Sequence, residues 1–273
     1  MRRSVLSFGL HSVLVIVAGL TLTPLVWMVS ASLMKTGEAN TFPPHLFPHA
    51  VTLEHYIALF TRLDLSRYLL NSLVNACTVT LVALVVNTLA GYAFAKFRFA
   101  GRDTVFRTLV AALVIPSQVG MLPLFLLLKS MGMVNTMWGL VIPGLASIFG
   151  IFMVRQYALG LPDELLDAAR MDGAGDFRIF RTIMLPLMKP ILVTLAVFTF
   201  LSTWNDFMWP LIILSDETKY TLPVALAGLV GEHVQDTELM MAGSVLTVLP
   251  VMILFLFLQR SYIQGVLAGS VKG

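Results

Sequence analysis

Six apolar runs, each close to or above the roughly 20 residues needed to cross a bilayer core, constrain what this chain can fold into. They extend approximately over Phe8–Leu33, Leu70–Ala95, Thr108–Leu128, Met137–Tyr157, Pro190–Leu214 and Glu238–Leu258. Hydrocarbon offers no partner to backbone N–H and C=O groups, so runs of this length must satisfy them internally, as helices. The expected fold is therefore all-α, a polytopic membrane protein with six transmembrane helices. Charged residues make up 12% of the chain, about half the soluble average, which leaves little surface for a water-soluble domain. We expect one transmembrane domain over 1–273, with an outer loop at about 34–69, an inner loop at about 159–189 and a tail at 259–273.

Charge asymmetry orients such a bundle. With six spans both termini share a side, which collects 13 of the 18 Lys and Arg residues and leaves 5 opposite. The positive-inside rule then places both termini and the 159–189 loop in the cytoplasm of a bacterial or archaeal cell. The net charge of +3 forms no basic stripe, so nucleic acid is not an expected partner. Met1-Arg2-Arg3 before an apolar run also fits a signal peptide. That run, however, exceeds the usual 7–15-residue signal core, and removing it would break the even topology.

Catalytic machinery is not visible. There is no GxxxxGK[ST] loop: the two lysines followed by Ser or Thr, Lys35 and Lys129, lack the preceding glycine. No HExxH helix or Cys/His cluster suggests a metal. His45, His49 and His55 are irregularly spaced in the outer loop and read as solvated, and the single Cys77 reads as an inert packing residue.

Ionisable groups inside spans are costly and usually functional. Asp206, in "TWNDFMWPL", is the one acid well inside a run, beside Trp204 and Asn205 and before Pro210. Pro210 is expected to loosen the local helix. Two readings stay open: a polar, aromatic wall of a solute pathway, or an interfacial aromatic belt with Asp206 as a cap. Gln118, Asn87 and Asn75 are weaker pathway candidates, because such residues often only bond between helices. Pro116, Pro123, Pro143 and Pro250 punctuate further spans.

The 159–189 loop has a physical logic of its own. "LPDELLDAARMDG" places Pro162 at a first helical position and Asp163, Glu164 and Asp167 in the first turns, with Arg170 near the end. Leu165, Ala168 and Ala169 share one face by i, i+3, i+4 spacing. Gly173 is expected to end the helix in a left-handed conformation. "DFRIFRTIM" then starts a second helix with Asp176 as N-cap and Phe177, Phe180 and Met184 on one side. Membrane-surface helices carry Lys and Arg on their polar face. The first helix is mainly acidic and suits a protein groove better than lipid.

Asp167-Ala168-Ala169, Gly173, Ile183 and Leu185-Pro186 together resemble the cytoplasmic "EAA" signature of binding-protein-dependent ABC importer permeases. The departure is Asp167 where that family usually has Glu. "TPLVWMVSASLM", "NTMWGLVIPGL", "TWNDFMWPLIIL", "KYTLPVALAGLVGE" and "GVLAGSVKG" extend the resemblance along the whole chain. They are similar to the carbohydrate permeases of the maltose-type second subunit. The resemblance implies an ABC type I importer fold, with a coupling loop that docks on a cytoplasmic ATPase through Glu164, Asp167, Ala168, Ala169, Asp172, Gly173, Ile183, Leu185 and Pro186. It also implies a different second permease subunit, two copies of the ATPase, and an extracytoplasmic binding protein that delivers a sugar. ATP and Mg would be bound by the ATPase and no cofactor by this chain, whose tail "AGSVKG" would reach the ATPase side. Pathway candidates are then Trp204, Asn205, Asp206 and Gln118. The alternative is an ion-coupled secondary transporter, which would need midplane ionisable residues in two related halves.

Overall fold

In a computed structural model, residues 2–43, 45–232 and 236–270 are described. Among them every regular element is helical. In chain order these are α1 (Arg2–Ala31), α2 (Glu54–Thr61), α3 (Leu65–Lys96), α4 (Arg102–Ala112), α5 (Ser117–Ser130), α6 (Met137–Val141) and α7 (Ile148–Leu159). They are followed by α8 (Glu164–Met171), α9 (Asp176–Ile179), α10 (Leu185–Leu187), α11 (Lys189–Trp204), α12 (Met208–Ile213), α13 (Leu222–Glu232) and α14 (Thr237–Ser270).

Among the described residues, four stretches are continuous helix, or nearly so, and long and apolar enough to cross a membrane: Gly9–Ala31, Leu65–Lys96, Met137–Leu159 and Thr237–Phe257. Two further apolar helix pairs are bent. Arg102–Ala112 and Ser117–Ser130 meet at 105°, and Asp176–Leu187 meets Lys189–Trp204 at 75°. The span expected over Thr108–Leu128 is thus corrected to a bent one, while the 75° bend precedes the span expected over Pro190–Leu214, which is interrupted instead between Trp204 and Met208. Pro116 begins α5 without an N–H to give, and it biases Ile115 away from helix. Pro190 likewise cannot bond the carbonyl of Pro186, and the bend falls between them, at the fully buried Met188.

The chain groups into two compact units, Met1–Arg67 with Leu222–Pro250, and Tyr68–Thr221 with Val251–Gly273. In the first, the outer loop is stitched by directional bonds. The Ala39 N–H donates to Glu238 Oε1 (2.7 Å), Thr237 Oγ1 donates to Asn40 Oδ1 (2.8 Å), and His55 Nε2 donates to the Met34 carbonyl (3.0 Å). His55 is only 3% exposed, which corrects its reading as a solvated histidine, whereas His49 is exposed and pairs with Glu38. The His49 and Lys35 N–H groups and the His49 ring hold the Glu38 carboxyl down at about 2.

The second unit is built around α3, α7 and α11. Lipid tails are as apolar as the side chains, so helix association rests on close packing and buried hydrogen bonds. Both are present. Gly91 on α3 lies against α7 so closely that an added Cβ would sit 2.6 Å from Val154 Cβ and 3.0 Å from the Arg155 nitrogen. Asn87, fully buried, accepts the Ser147 N–H at 3.0 Å and so ties α3 to the first turn of α7. This places Asn87 in the inter-helix bonding role. Cys77, expected to pack inside, is exposed on α3. Replacing Gly91 with valine should push α3 from α7 at a cost of about 1–3 kcal/mol. A lowered melting temperature in detergent would show it; an unchanged one would mean the helices can separate freely.

Candidate functional site

The loop between α7 and α11 is a rigid platform because its first helix is anchored at both ends. At the start, the Lys96 ammonium, closing α3 with 4% of its side chain exposed, donates to the Leu161 carbonyl (2.7 Å) and to the Asp163 carboxylate. This pair holds the Asp163 carboxyl below the usual carboxylate range. Asp163 therefore makes no side-chain cap, and α8 begins at Glu164, with Pro162 outside it. The end of α8 is a complete Schellman motif: the Gly173 N–H donates to the Arg170 carbonyl (2.9 Å) and the Ala174 N–H to the Ala169 carbonyl (3.0 Å). Gly173 has φ +80°, the left-handed conformation expected from sequence, and an added Cβ there would meet nothing within 4 Å.

The small-residue face expected to meet a partner is split, with Ala169 turned into the core. Leu166 and Ala169 pack inward with Tyr92, Ala95, Val154 and Ile179, while Leu165 and Ala168 point outward. Spacing alone fits either stripe; the packing against α3 and α7 selects the Leu166 side. Glu164, Asp167, Ala168, Asp172 and Gly173 are all exposed, from the first residue of α8 to the turn that ends it. Arg170 bridges this surface internally, with Nη1 3.4 Å from Asp167 and Nη2 3.2 Å from Asp176. Asp176 is thereby drawn away from the N-cap position assigned to it, which Gly175 takes instead.

Beyond α9, a π-helical turn over Phe180–Met184 precedes Leu185-Pro186. Pro186 cannot bond the Thr182 carbonyl, and a widened turn is one way a helix accommodates that loss. Ile183 packs on the α8 core, Leu185 is half-buried and Pro186 is exposed. Of the three aromatic and Met residues expected on one side, Met184 is fully buried and Phe180 partly so, but Phe177 is 73% exposed. The tail residues Val271–Gly273 lie outside the described residues, and α14 runs to Ser270.

The pathway candidates separate in the structure. The loosening expected from Pro210 is seen around Asp206: α11 ends at Trp204 and α12 starts at Met208. Asp206 sits in that break, and its Oδ1 accepts the Trp209 N–H at 3.3 Å, which caps the first turn of α12. Asn205 is exposed, its side chain donating to the Leu201 carbonyl (2.9 Å). Trp204 is 1% exposed and stacked on Phe200, so it is a packing residue rather than an open wall. Gln118 is exposed in the first turn of α5, three residues before Met121, which packs in the cluster of Leu128, Leu140, Trp209 and Ile213. The two interrupted helices thus converge on Trp209, a residue the sequence reading passed over. Its indole N–H donates to the Gly139 carbonyl (3.2 Å), the partner a buried indole requires. Asn135 was also missed. Its side chain accepts the Ser215 and Asp216 N–H groups, fastening the entry to α6 onto the segment after α12.

Residues 87–267 match the family described as "Binding-protein-dependent transport system inner membrane component". The arabinooligosaccharides transport system permease protein AraQ of Halalkalibacterium halodurans is 39% identical over 245 residues, covering 89% of this chain and 86% of that one. The lactose transport system permease protein LacG of Rhizobium radiobacter is 33% identical over 276 residues, covering 100% and 98%. A chain of a bacterial ABC transporter involved in the import of the acidic polysaccharide alginate superposes with a TM-score of 0.81 at 24% identity, covering 94% of this chain and 96% of that one. The last likeness establishes a shared fold. This multi-pass membrane chain belongs to the family of binding-protein-dependent transport system inner membrane components.

Proposed function

We propose that this chain is one of two different permease subunits of an ATP-driven ABC importer, forming half of the pathway for a sugar or oligosaccharide. The observation that carries the reading is the anchored α8 platform, with Ala168, Asp172 and Gly173 turned outward where a partner's groove can approach. Two copies of a cytoplasmic ATPase bind ATP and Mg and hydrolyse the nucleotide; this chain binds neither and is no enzyme itself. The α8 loop docks on one ATPase, so that closure of the ATPase pair moves the bundle. An extracytoplasmic binding protein delivers the solute. The positive-charge bias supports a cytoplasmic-membrane location with both termini and the α8 loop inside. The names of the AraQ and LacG relatives support the sugar class.

The test is uptake into vesicles holding the chain with its co-expressed partner subunits. With ATP enclosed and binding protein outside, labelled oligosaccharide should accumulate, and an ATPase should co-purify. Uptake that ignores ATP but collapses with the ion gradient would assign a secondary carrier instead.

Within the pathway, Gln118, Asn205 and Asp206 face the solute and Trp204 supports them from behind. Asp206→Ala removes the α12 cap, a loss of about 1 kcal/mol, and leaves most of the packing in place. The complex should still assemble while uptake falls. Unchanged uptake would remove Asp206 from the pathway.

A further inference from the structure

A cavity of about 310 Å³ opens between α3 and the segment from Phe177 to Leu192, lined chiefly by Val85, Leu89, Phe177, Phe180 and Leu192. The one polar residue in its wall, Thr88, is itself buried. Val85 is 58% and Leu89 47% exposed, so the cavity opens outward from the helix bundle of this unit. Counting from Lys96 at the end of α3, Leu89 and Val85 lie roughly 10 and 17 Å along the helix. That range is the depth of one acyl-chain layer, half of a core about 30 Å thick.

Basic residues neighbour the cavity lining in sequence. The segment Asp176–Leu187 presents exposed Arg178 and Arg181 beside the exposed Phe177, and neither arginine has an ion-pair partner among the described residues. Its acid, Asp176, is already held by Arg170. Arg178 and Arg181 each directly follow a cavity-lining aromatic in sequence, Phe177 and Phe180. The same criterion that directs the acidic α8 to a protein directs this segment to lipid: basic side chains on the polar side, aromatic side chains toward hydrocarbon.

We propose that this is a binding site for an anionic phospholipid, with one acyl chain in the cavity along Val85 and Leu89 and the phosphate at Arg178 and Arg181. A lipid held there lies against Phe180, within the packing under α8, and so contributes to the stiffness of the platform. Another protein filling the cavity is the competing outcome.

The test uses the full chain with the photo-reactive residue benzoylphenylalanine in place of Val85. It is reconstituted in vesicles of equal phosphatidylglycerol and phosphatidylcholine, irradiated, and analysed by mass spectrometry. Adducts at position 85 should favour phosphatidylglycerol by about tenfold, the scale expected for two basic side chains near an anionic headgroup. The same probe at Leu81, 66% exposed on α3 but outside the cavity, should show no preference and reports that the chain is inserted. Arg178→Gln with Arg181→Gln should abolish the preference at position 85, and Arg178→Lys with Arg181→Lys should keep it. Equal adducts from the two lipids at position 85 would overturn the site. So would capture of a protein by that probe in native membranes containing the partner subunits. Neither readout depends on ATP hydrolysis or uptake, so the outcome stands apart from the importer reading.

Discussion

Gly173→Asp is expected to leave the chain folded and inserted while abolishing transport-stimulated ATP hydrolysis by the assembled complex. The structure separates these two effects. No atom lies within 4 Å of the position a Cβ would take, so the substitution creates no clash inside the chain. Its intrinsic cost is the left-handed backbone at φ +80°, about 1–2 kcal/mol for an ordinary residue and less for aspartate, which tolerates that region. The new carboxylate instead projects from the outward surface, beside Asp172. Burying an unpaired charge in a docked interface costs about 3 kcal/mol, enough to weaken docking more than a hundredfold. Gly173→Ala adds the strain without the charge and should retain most of the coupling. Coupled hydrolysis in Gly173→Asp membranes at the wild-type rate would sink the docking role of this turn.

Lys96→Met should be nearly as damaging by a different route. It keeps the length and apolar stem of the side chain but removes the donor shared by the Leu161 carbonyl and the Asp163 carboxylate. The Leu161 carbonyl then loses its partner at a cost of about 1–3 kcal/mol, and α8 loses its tie to α3. Hydrogen exchange over residues 161–175 should accelerate about tenfold, and uptake should fall with it. Lys96→Arg retains donors in reach and should preserve much of the protection. Unaltered exchange in Lys96→Met would mean that the Leu166 and Ala169 packing alone holds the platform. The pH dependence has a definite sign. Lys96 lowers the Asp163 carboxyl in the folded chain, so this tie is complete above the ordinary Asp value near 3.9. It is lost only as pH falls through the depressed folded value, and so is constant across the physiological range.

How far the site was legible follows from the range of each interaction. The α8 helix, its glycine stop and the segment after it depend on neighbours within a turn, and capping and propensity report those directly. The left-handed Gly173 is such a case. The buried stripe of α8 is not, because Leu165 with Ala168 and Leu166 with Ala169 are equally spaced. Only the placement of Tyr92 and Val154 beneath the helix distinguishes them. Asp163 and Asp176 are similar: each is a good cap by type, yet each is taken by a cation, Lys96 or Arg170. His55 was misread because a buried histidine and a solvated one look alike without knowledge of which carbonyl lies above the ring. Trp209 and Asn135 went unassigned since their partners, the Gly139 carbonyl and the Ser215 and Asp216 amides, lie about 70 to 80 residues away in sequence.

The sequence by itself determined the helical class, the approximate location of six spans and the place of the polar loop. Each of these follows from the demand that hydrocarbon imposes on backbone hydrogen bonds. Tertiary structure decided what was left open: that the third and fifth spans are bent or interrupted, and that Asp206 caps a break while Trp204 packs behind it. It also decided which face of α8 is exposed. Those outcomes depend on which buried donors find acceptors and which surfaces find close neighbours, and a linear pattern of residue types does not specify distances between segments far apart in the chain.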